Sequence, residues 1–279
     1  MFDDLKKSLL RIKEPLLMGE AVWVGAMRID TLFGREPFNE DSWLFSFLDT
    51  KEKQRAQKYR FLEDKLCFIT GRFLSKTALA SLVGLPPGCI SFGYDSHGKP
   101  FVESPGQAKE FYFSISHSAG LVAVAVGYGR PVGIDVERYT RPVDIGAVSK
   151  RFLSSEESLA IKEAGDKKQE AFMRTWTLKE AYAKALGMGL GVPFKSFGLI
   201  VDSRSRIVWA PRPPDSDSWR FFQGTICENF CLGVCVQGHK SARLLMASIG
   251  DDGMKNIALP MSLALDGNSI ADSGFPAGK

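Results

Sequence analysis

The chain has little of what disulfide frameworks and metal clusters are built from. Its 279 residues include only three histidines and five cysteines, and an odd number of cysteines argues against a complete disulfide framework. One set recurs at every fourth position, as zinc ligands on a helix would: Cys227, Cys231, Cys235 and His239. Residues 225–238 are rich in strand-forming types, however, so we interpret these cysteines as buried apolar residues.

Long apolar runs and strong charge are also missing. No run approaches the roughly 20 residues needed to cross a bilayer. Residues 1–15 contain acidic residues and no unbroken apolar stretch, which excludes a secretory signal. We therefore expect a cytoplasmic protein with no membrane partner. Basic residues cluster between Asp49 and Lys76, as either a solvated helix face or a site for phosphates or an acidic protein. They are not interleaved with aromatic residues, so we expect no nucleic-acid partner.

The sequence shows the order helix, then short strands, twice. In the first half, a strand at 21–29 and a helix at 52–83 precede strands at 90–94, 111–116, 121–127 and 132–137. In the second half, helical segments from Ser155 to Leu186 precede strands near 196–201, 206–210, 219–226 and 230–236. This order predicts an α+β fold of two similar pseudo-symmetric halves, each a helix packed on an antiparallel β meander.

The predicted halves occupy residues 21–140 and 141–239, with a boundary near Tyr139–Asp144. Residues 1–20 are predicted to be an N-terminal leader. Residues 240–279 lack a clear apolar period and are predicted to be an appended tail that is partly disordered. The seam between two packed halves is a common place for a ligand.

Two acidic residues in the segment VGIDVE have the spacing of one strand face. Asp135 and Glu137 are two apart, so on a strand their side chains point to the same side. Ile134 and Val136 would then point to the opposite side, toward the core. Alone, this pattern is equally typical of an exposed strand face that carries two acids.

A second charged pair lies on the helix that ends near Leu186. Glu180 and Lys184 are four residues apart and share one helix face, a spacing that also suits a simple surface salt bridge. Together with Asp135 and Glu137 they would bring three carboxylates and a lysine together from two elements. Such a set suits a divalent cation that clamps a phosphate, with a base and an acid beside it.

Further residues fit contacts to phosphate. His117 and Ser116 lie at the end of a strand, where adjacent side chains point apart, so a shared phosphate contact fits better than a Ser/His nucleophile pair. A turn histidine without a function is the alternative. Lys99 lies between a glycine turn and Pro100 and could also hold a phosphate.

Several glycines mark helix features. Gly187, Gly189 and Gly191 follow a helix rather than a strand, so they do not form a dinucleotide-binding loop. We predict that they cap the helix and let a neighbouring segment pass close by. Gly71 predicts either a break in the helix at 52–83 or a close approach.

Together these motifs resemble the 4′-phosphopantetheinyl transferase superfamily, in its larger Sfp-type form. The resemblance covers roughly residues 20–238. It rests on HGKP at 97–100, FSISHS at 113–118, GIDVE at 133–137, RFLSSEE at 151–157 and WTLKEAYAKALGMGL at 176–190.

The resemblance implies a transferase. Its members move the 4′-phosphopantetheine arm of coenzyme A to a serine of an apo acyl, peptidyl or aryl carrier protein, and adenosine 3′,5′-bisphosphate leaves. Mg²⁺ bridges the pyrophosphate, and Mn²⁺ can replace it. Both parts of the site lie in one chain, so the resemblance implies a monomer.

The resemblance also implies roles for individual residues. The metal-binding acids would be Asp135, Glu137 and Glu180. Catalysis would use Asp135, Glu180 as general base for the carrier serine and Lys184 at the leaving phosphate. Contacts to the coenzyme would come from Lys99, Ser116, His117 and Lys179, with the 3′-phosphate held by basic residues among Lys53, Arg55 and Arg72.

Two other classes of function use the same residues. One is a Mg²⁺-dependent phosphodiester or nucleotide hydrolase, in which water is the nucleophile and no carrier takes part. The other is a non-catalytic module that binds a carrier or coenzyme A. The presence of both a base and an acid argues against that module, because binding alone needs neither.

Overall fold

The computed structural model describes residues 2–33, 43–202, 206–238, 243–250 and 253–257. The α-helices are α1 (Phe2–Leu17), α2 (Ile29–Phe33), α3 (Thr50–Gln57), α4 (Leu62–Val83), α5 (Ile145–Phe152), α6 (Ser155–Glu163) and α7 (Lys168–Leu186). The strands are β1 (Ala21–Arg28), β2 (Ser91–Tyr94), β3 (Pro100–Ser104), β4 (Phe111–Ser118), β5 (Leu121–Tyr128), β6 (Val132–Arg138), β7 (Leu199–Val201), β8 (Ile207–Trp209), β9 (Trp219–Ile226), β10 (Phe230–Gln237), β11 (Arg243–Gly250) and β12 (Gly253–Ile257).

Most of the strands form two sheets. The larger has the order β12-β11-β1-β5-β4, and the smaller has the order β6-β10-β9. All neighbouring pairs in these sheets are antiparallel except β1 and β11, which are parallel. β2–β3 and β7–β8 are separate antiparallel pairs. The expected α+β class with antiparallel strands is confirmed.

The two sheets share one apolar core. It includes Val24 from β1, Ala123 from β5, Ile134 from β6 and Val234 from β10, and all four side chains are buried. Helices cover the outer faces of the sheets, α1 and α4 on the larger and α7 on the smaller. The order of layers is therefore helix, sheet, sheet, helix.

Strand β5 shows why some segments are apolar without alternation. Val122 and Val124 face the helices α1 and α4, whereas Leu121 and Ala123 face the smaller sheet. Because both faces are buried, the strand is a continuous apolar run rather than an alternation of apolar and polar residues.

The prediction of a single helix at 52–83 is wrong, because the structure has two helices there, α3 and α4. Asp49 begins α3 through a capping box with Glu52. The Glu52 carboxylate is buried and forms ion pairs with Lys76 and Arg72 of α4. Pairing across the two helices folds α3 back against α4, so the chain turns between them.

α4 is continuous and is a core helix. Its length and hydropathy would suit a membrane span, but 89% of its most apolar window is buried inside the protein. Gly71 marks a close approach rather than a break, since a Cβ there would lie 3.0 Å from Ile115 Cγ2.

Strand β6 belongs to the smaller sheet and not to the meander of the first half. It pairs with β10, with Asp135 opposite Gly233. Ile134 and Val136 point into the shared core, as expected from their alternation with the acids. The chain therefore changes sheet between β5 and β6, ahead of the predicted boundary near Tyr139–Asp144.

The predicted leader and part of the predicted tail are built into the fold. Within residues 1–20, α1 packs against α4 and the larger sheet through Leu5, Leu9 and Leu16. Within residues 240–279, β11 pairs with β1 and β12 pairs with β11, so the expectation of an appendage is wrong for these two strands. The prediction of partial disorder concerns residues beyond them that lie outside the described ranges.

Two glycines let α7 lie directly on the backbone of the smaller sheet. A Cβ on Gly133 of β6 would lie 1.9 Å from the Ala181 carbonyl oxygen and 2.5 Å from the Ala185 nitrogen. On Gly233 of β10 it would lie 2.7 Å from the Thr177 carbonyl oxygen. No larger residue fits at either position unless helix and sheet separate.

Gly133→Ala should therefore destabilise the protein. The new methyl group would meet helix backbone, which cannot rotate away, and we expect a loss of about 2–3 kcal/mol in the free energy of unfolding. Denaturant unfolding measures this loss. Gly88→Ala is the control, because a Cβ on the exposed Gly88 meets nothing within 4 Å. Equal stability of the two variants would contradict the close packing.

Candidate active site

The structure brings the predicted acids and lysine together. Asp135 and Glu137 of β6 are buried although charged, and Lys184 Nζ of α7 lies 2.7 Å from Asp135 Oδ1. Burial, followed by the charge of Asp135, raises the pKa of the Glu180 carboxyl to about 7, with Lys184 acting in the opposite direction and Glu137 raising it further. The three carboxylates are therefore close enough to influence one another's ionisation.

Serines of β4 hold the two acids of β6 from the side. Ser116 Oγ donates a hydrogen bond to Asp135 Oδ1 at 2.8 Å and accepts one from Lys184 Nζ at 2.9 Å. Ser118 Oγ donates to Glu137 Oε2 at 2.8 Å. The second oxygen of Glu137 accepts from Arg141 Nη1. The larger sheet thus fixes the acids of the smaller sheet.

Ser116 and His117 point to different sides of β4, as expected for adjacent strand residues. The Ser116 hydroxyl is engaged with Asp135 and Lys184. His117 is exposed to solvent, but its ring lies close enough to surrounding protein for partial desolvation to lower its pKa, with Asp64 of α4 acting in the opposite direction. Only His117 of the two is thus placed to meet a ligand from the side of α4.

A cavity of about 340 Å³, here called the seam cavity, lies next to the acids between β4 and the C-terminal part of α7. Glu180 and Lys184 line it on one side, and the turn with His97 and Lys99 lines it on another. Phe113 of β4 adds an apolar wall. The cavity therefore joins an apolar surface to a charged end, which suits a long ligand with a phosphate group.

Lys99 fixes one wall of this cavity. Its Nζ donates to the carbonyl oxygens of Lys184 at 2.5 Å and Ala185 at 3.1 Å, at the C-terminal end of α7. Gly187 caps that helix with a φ of 72° and lies against the Lys99 side chain. The predicted roles of this glycine as a cap and as a site of close approach are both confirmed.

Known proteins match the chain over most of the region that forms this site. A family profile described as 4′-phosphopantetheinyl transferase, N-terminal, matches residues 36–128, and one described as the 4′-phosphopantetheinyl transferase superfamily matches residues 131–235. The enzyme gsp of Aneurinibacillus migulanus, a 4′-phosphopantetheinyl transferase, is 31% identical over 65% of this chain and 75% of its own length. The chain belongs to the 4′-phosphopantetheinyl transferase superfamily.

Two further members of the superfamily show the range of similarity. The 4′-phosphopantetheinyl transferase HetI of Nostoc is 36% identical over 56% of this chain, and the match spans 66% of the length of HetI. The 4′-phosphopantetheinyl transferase Sfp of Bacillus subtilis is 26% identical over 69% of this chain and 84% of its own length. Sfp-type members are thus among the relatives of this transferase.

The structure does not bring Lys179 to the active site of the transferase. Its ammonium group is fully buried, 2.8 Å from Glu157 Oε2, and donates to the carbonyl oxygens of Phe194 and Phe197 at 2.7 Å each. Neighbouring residues on a helix point about 100° apart, so Lys179 points away from the side on which Glu180 lies. It ties α7 to α6 instead of contacting a coenzyme.

The three basic residues predicted for the 3′-phosphate differ in exposure. Arg72 is 4% exposed, pairs with Glu52, and donates to the Tyr94 hydroxyl at 2.5 Å. Its Nη1 is buried without a hydrogen-bond partner. Arg55 is exposed beside the Tyr94 ring, and Lys53 is partly exposed. Arg55 and Lys53 are therefore the more accessible residues, whereas Arg72 is buried and already pairs with Glu52.

The acids of the transferase fit a hard divalent cation by their chemistry. All the donors are carboxylate oxygens, as Mg²⁺ prefers, and Asp135 Oδ2 is buried without a hydrogen-bond partner. In the described ranges, no three acidic, histidine or cysteine side chains are gathered tightly enough to hold one ion as they stand. Lys184 instead forms an ion pair with Asp135, and Arg141 forms one with Glu137.

Some residues of the site were not predicted from the sequence. Ser118 and Arg141 contact Glu137, and His97 lines the cavity. The spacing of serines in FSISHS matches the spacing of acids in GIDVE, and this match was the available signal for Ser118. His97 belongs to the HGKP motif at 97–100 but was given no role, and nothing local marks Arg141.

Of the three cysteines predicted to be buried, two are buried and Cys227 is only partly buried. Cys231 and Cys235 are buried on β10, and burial raises the pKa of the Cys231 thiol to about 11. Cys227 lies in the turn before that strand. His239, the remaining member of the possible zinc set, lies outside the described residues.

Lys179→Met should destabilise the transferase strongly. It would leave the Glu157 carboxylate buried and without its cation, and we expect a loss of about 3–5 kcal/mol in the free energy of unfolding. Denaturant unfolding measures the loss, and Lys162→Met on the exposed side of α6 is the control. A change as small as that of the control would show that the buried pair adds nothing to stability.

Proposed function

We propose that the protein transfers the 4′-phosphopantetheine arm of coenzyme A to a serine of an apo acyl, peptidyl or aryl carrier protein. Adenosine 3′,5′-bisphosphate is the second product. The observation that carries the proposal is the meeting of Asp135, Glu180 and Lys184 at one end of the seam cavity. Membership of the transferase superfamily supports the same activity.

Glu180 is suited to remove the proton from the carrier serine. A base acts best when its pKa lies near the pH at which the enzyme works. In the protein without a bound cation, burial raises the pKa of Glu180 to about 7, and a cation at the same carboxylate would lower it. The serine oxygen attacks the phosphorus that carries the pantetheine arm. The bond from that phosphorus to the bridging pyrophosphate oxygen breaks, and the serine proton passes to the Glu180 carboxylate.

Lys184 is suited to the leaving phosphate. Its side chain is 30% exposed and lines the seam cavity next to Glu180. A cation there can stabilise the negative charge that grows on the leaving oxygen, or can protonate it. Lys184 would shift from Asp135 toward that phosphate when the donor binds.

We further propose that Asp135, Glu137 and Glu180 hold Mg²⁺, for which Mn²⁺ can substitute. Bound there, the ion would neutralise charge on the pyrophosphate of the donor. The orphaned buried oxygen of Asp135 supports this assignment. Arg141 is half exposed and can leave Glu137 without disturbing the core.

The remaining contacts to the donor follow from exposure. His117 is exposed on the face of β4 toward α4, and Lys99 lines the cavity, so both remain proposed contacts to coenzyme A. Arg55 and Lys53 are the accessible candidates for the 3′-phosphate. We expect the enzyme to act as a monomer, because Asp135 and Glu180 come from one chain. We also expect it to act in the cytoplasm.

Intact-protein mass spectrometry tests the activity. The protein is incubated with Mg²⁺, coenzyme A and a panel of apo carrier domains. The proposal predicts that at least one carrier gains one phosphopantetheine arm, and that EDTA prevents the gain. Hydrolysis of the coenzyme without modification of any carrier would indicate a hydrolase, and binding without either reaction would indicate a non-catalytic module.

Glu180→Gln should lower the rate of transfer by at least about 100-fold, because an amide cannot accept the serine proton. Coenzyme binding, measured by calorimetry without a divalent cation so that the proposed metal-ligand role of Glu180 does not contribute, should remain close to that of the wild type. Glu170→Gln is the matched control on the same helix, since Glu170 is exposed and pairs with Arg174. Transfer by Glu180→Gln at the rate of this control would disprove the role of Glu180 as base.

A further inference from the structure

Strands β4 and β6 lie side by side without a backbone ladder. β4 is at the edge of the larger sheet and β6 is at the edge of the smaller one, and among the described strands they are not hydrogen-bonded neighbours in either sheet. An edge strand leaves backbone N–H groups without partners, and these must be satisfied when they are buried.

Three serine hydroxyls take the place of the missing ladder. Every second residue of β4 from Ser114 to Ser118 accepts a hydrogen bond from a backbone N–H of β6. The donors are Ile134 at 3.2 Å, Val136 at 3.3 Å and Arg138 at 3.3 Å. The offset of 20 residues is the same in all three bonds, so the hydroxyls fix β6 in a parallel register beside β4.

Two of these hydroxyls also donate to the carboxylates of β6. Ser116 holds Asp135 and Ser118 holds Glu137, each at 2.8 Å. Ser116 and Ser118 therefore each donate a hydrogen bond to the carboxylate of one β6 residue and accept one from the backbone N–H of the next. Ser114 differs, because the residue that precedes Ile134 is Gly133, which has no side chain. All three serines are buried.

From this arrangement we propose that Ser118 is a positioning residue for the metal site, and that it holds the Glu137 carboxylate in the orientation that a divalent cation requires. This rests on the proposed metal-binding role of Glu137. Without the hydroxyl, Arg141 is the one hydrogen-bond partner that the carboxylate keeps among the described residues, and this half-exposed side chain can move. Ser118 is more informative than Ser116, since Ser116 also contacts Lys184.

Comparison of Ser118→Ala with Ser114→Ala separates positioning from plain structural support. Each substitution removes one acceptor for a β6 N–H, but only Ser118→Ala removes a donor to a carboxylate. Binding of Mn²⁺ in the presence of coenzyme A is followed by loss of the free-ion electron paramagnetic resonance signal, and thermal unfolding is recorded for both variants.

We expect Ser118→Ala to weaken Mn²⁺ binding by about 10-fold, as is typical when a hydrogen bond to a metal ligand is lost. Ser114→Ala should bind Mn²⁺ like the wild type. Its unfolding temperature should change by about as much as that of Ser118→Ala. If Ser118→Ala does not fold, Ser118→Cys keeps a similar volume with a weaker donor, and should bind Mn²⁺ less tightly than Ser114→Ala.

Two other outcomes would overturn the proposal at different levels. Equal Mn²⁺ affinity of the Ser118 and Ser114 variants would show that Ser118 supports the fold alone, and would leave the metal site intact. Failure of the wild type to bind Mn²⁺ with coenzyme A present would disprove the metal assignment of Glu137, and the role of Ser118 with it.

Discussion

The close approach of α7 to the backbone of β6 and β10 determines the rest of the site. Gly133 and Gly233 leave no side chain between helix and sheet, so the helix backbone takes the space that a Cβ would fill. At this separation Lys184 lies 2.7 Å from Asp135. We expect a methyl group at Gly133 to move Glu180 and Lys184 away from the acids of β6, although it would change no charged residue.

The site also needs the first half of the chain. The acids are on a strand of the smaller sheet, but the hydroxyls that hold them belong to Ser116 and Ser118 of the larger sheet. Lys99, from the turn between β2 and β3, ties the same region to the end of α7. Both sheets therefore contribute side chains to one buried charged cluster, so the site is complete only when the two sheets are packed together. Carboxylates this close are costly without a cation, and Lys184 and Arg141 supply positive charge in the structure described here.

Local periodicity predicted which faces carry charged residues, but it could not predict long-range pairing. The two-residue spacing of Asp135 and Glu137 and the four-residue spacing of Glu180 and Lys184 each define a face. That the two faces meet was a hypothesis, which the resemblance to a known family supported. The partner of β6 could not be predicted, because an apolar strand face fits several neighbours equally well. Lys179 shows the same limit, since nothing near it in sequence reveals the buried Glu157 that it pairs with.

The central claim is that the acids of β6 and α7 form one cation site beside a coenzyme cavity. The most direct test is a crystal structure with coenzyme A and Mn²⁺, in which anomalous scattering locates the ion. The account predicts an anomalous peak between the carboxylates of Asp135, Glu137 and Glu180, with the pyrophosphate of the coenzyme in the seam cavity. An ion bound elsewhere, or a coenzyme bound away from Glu180 and Lys184, would contradict it.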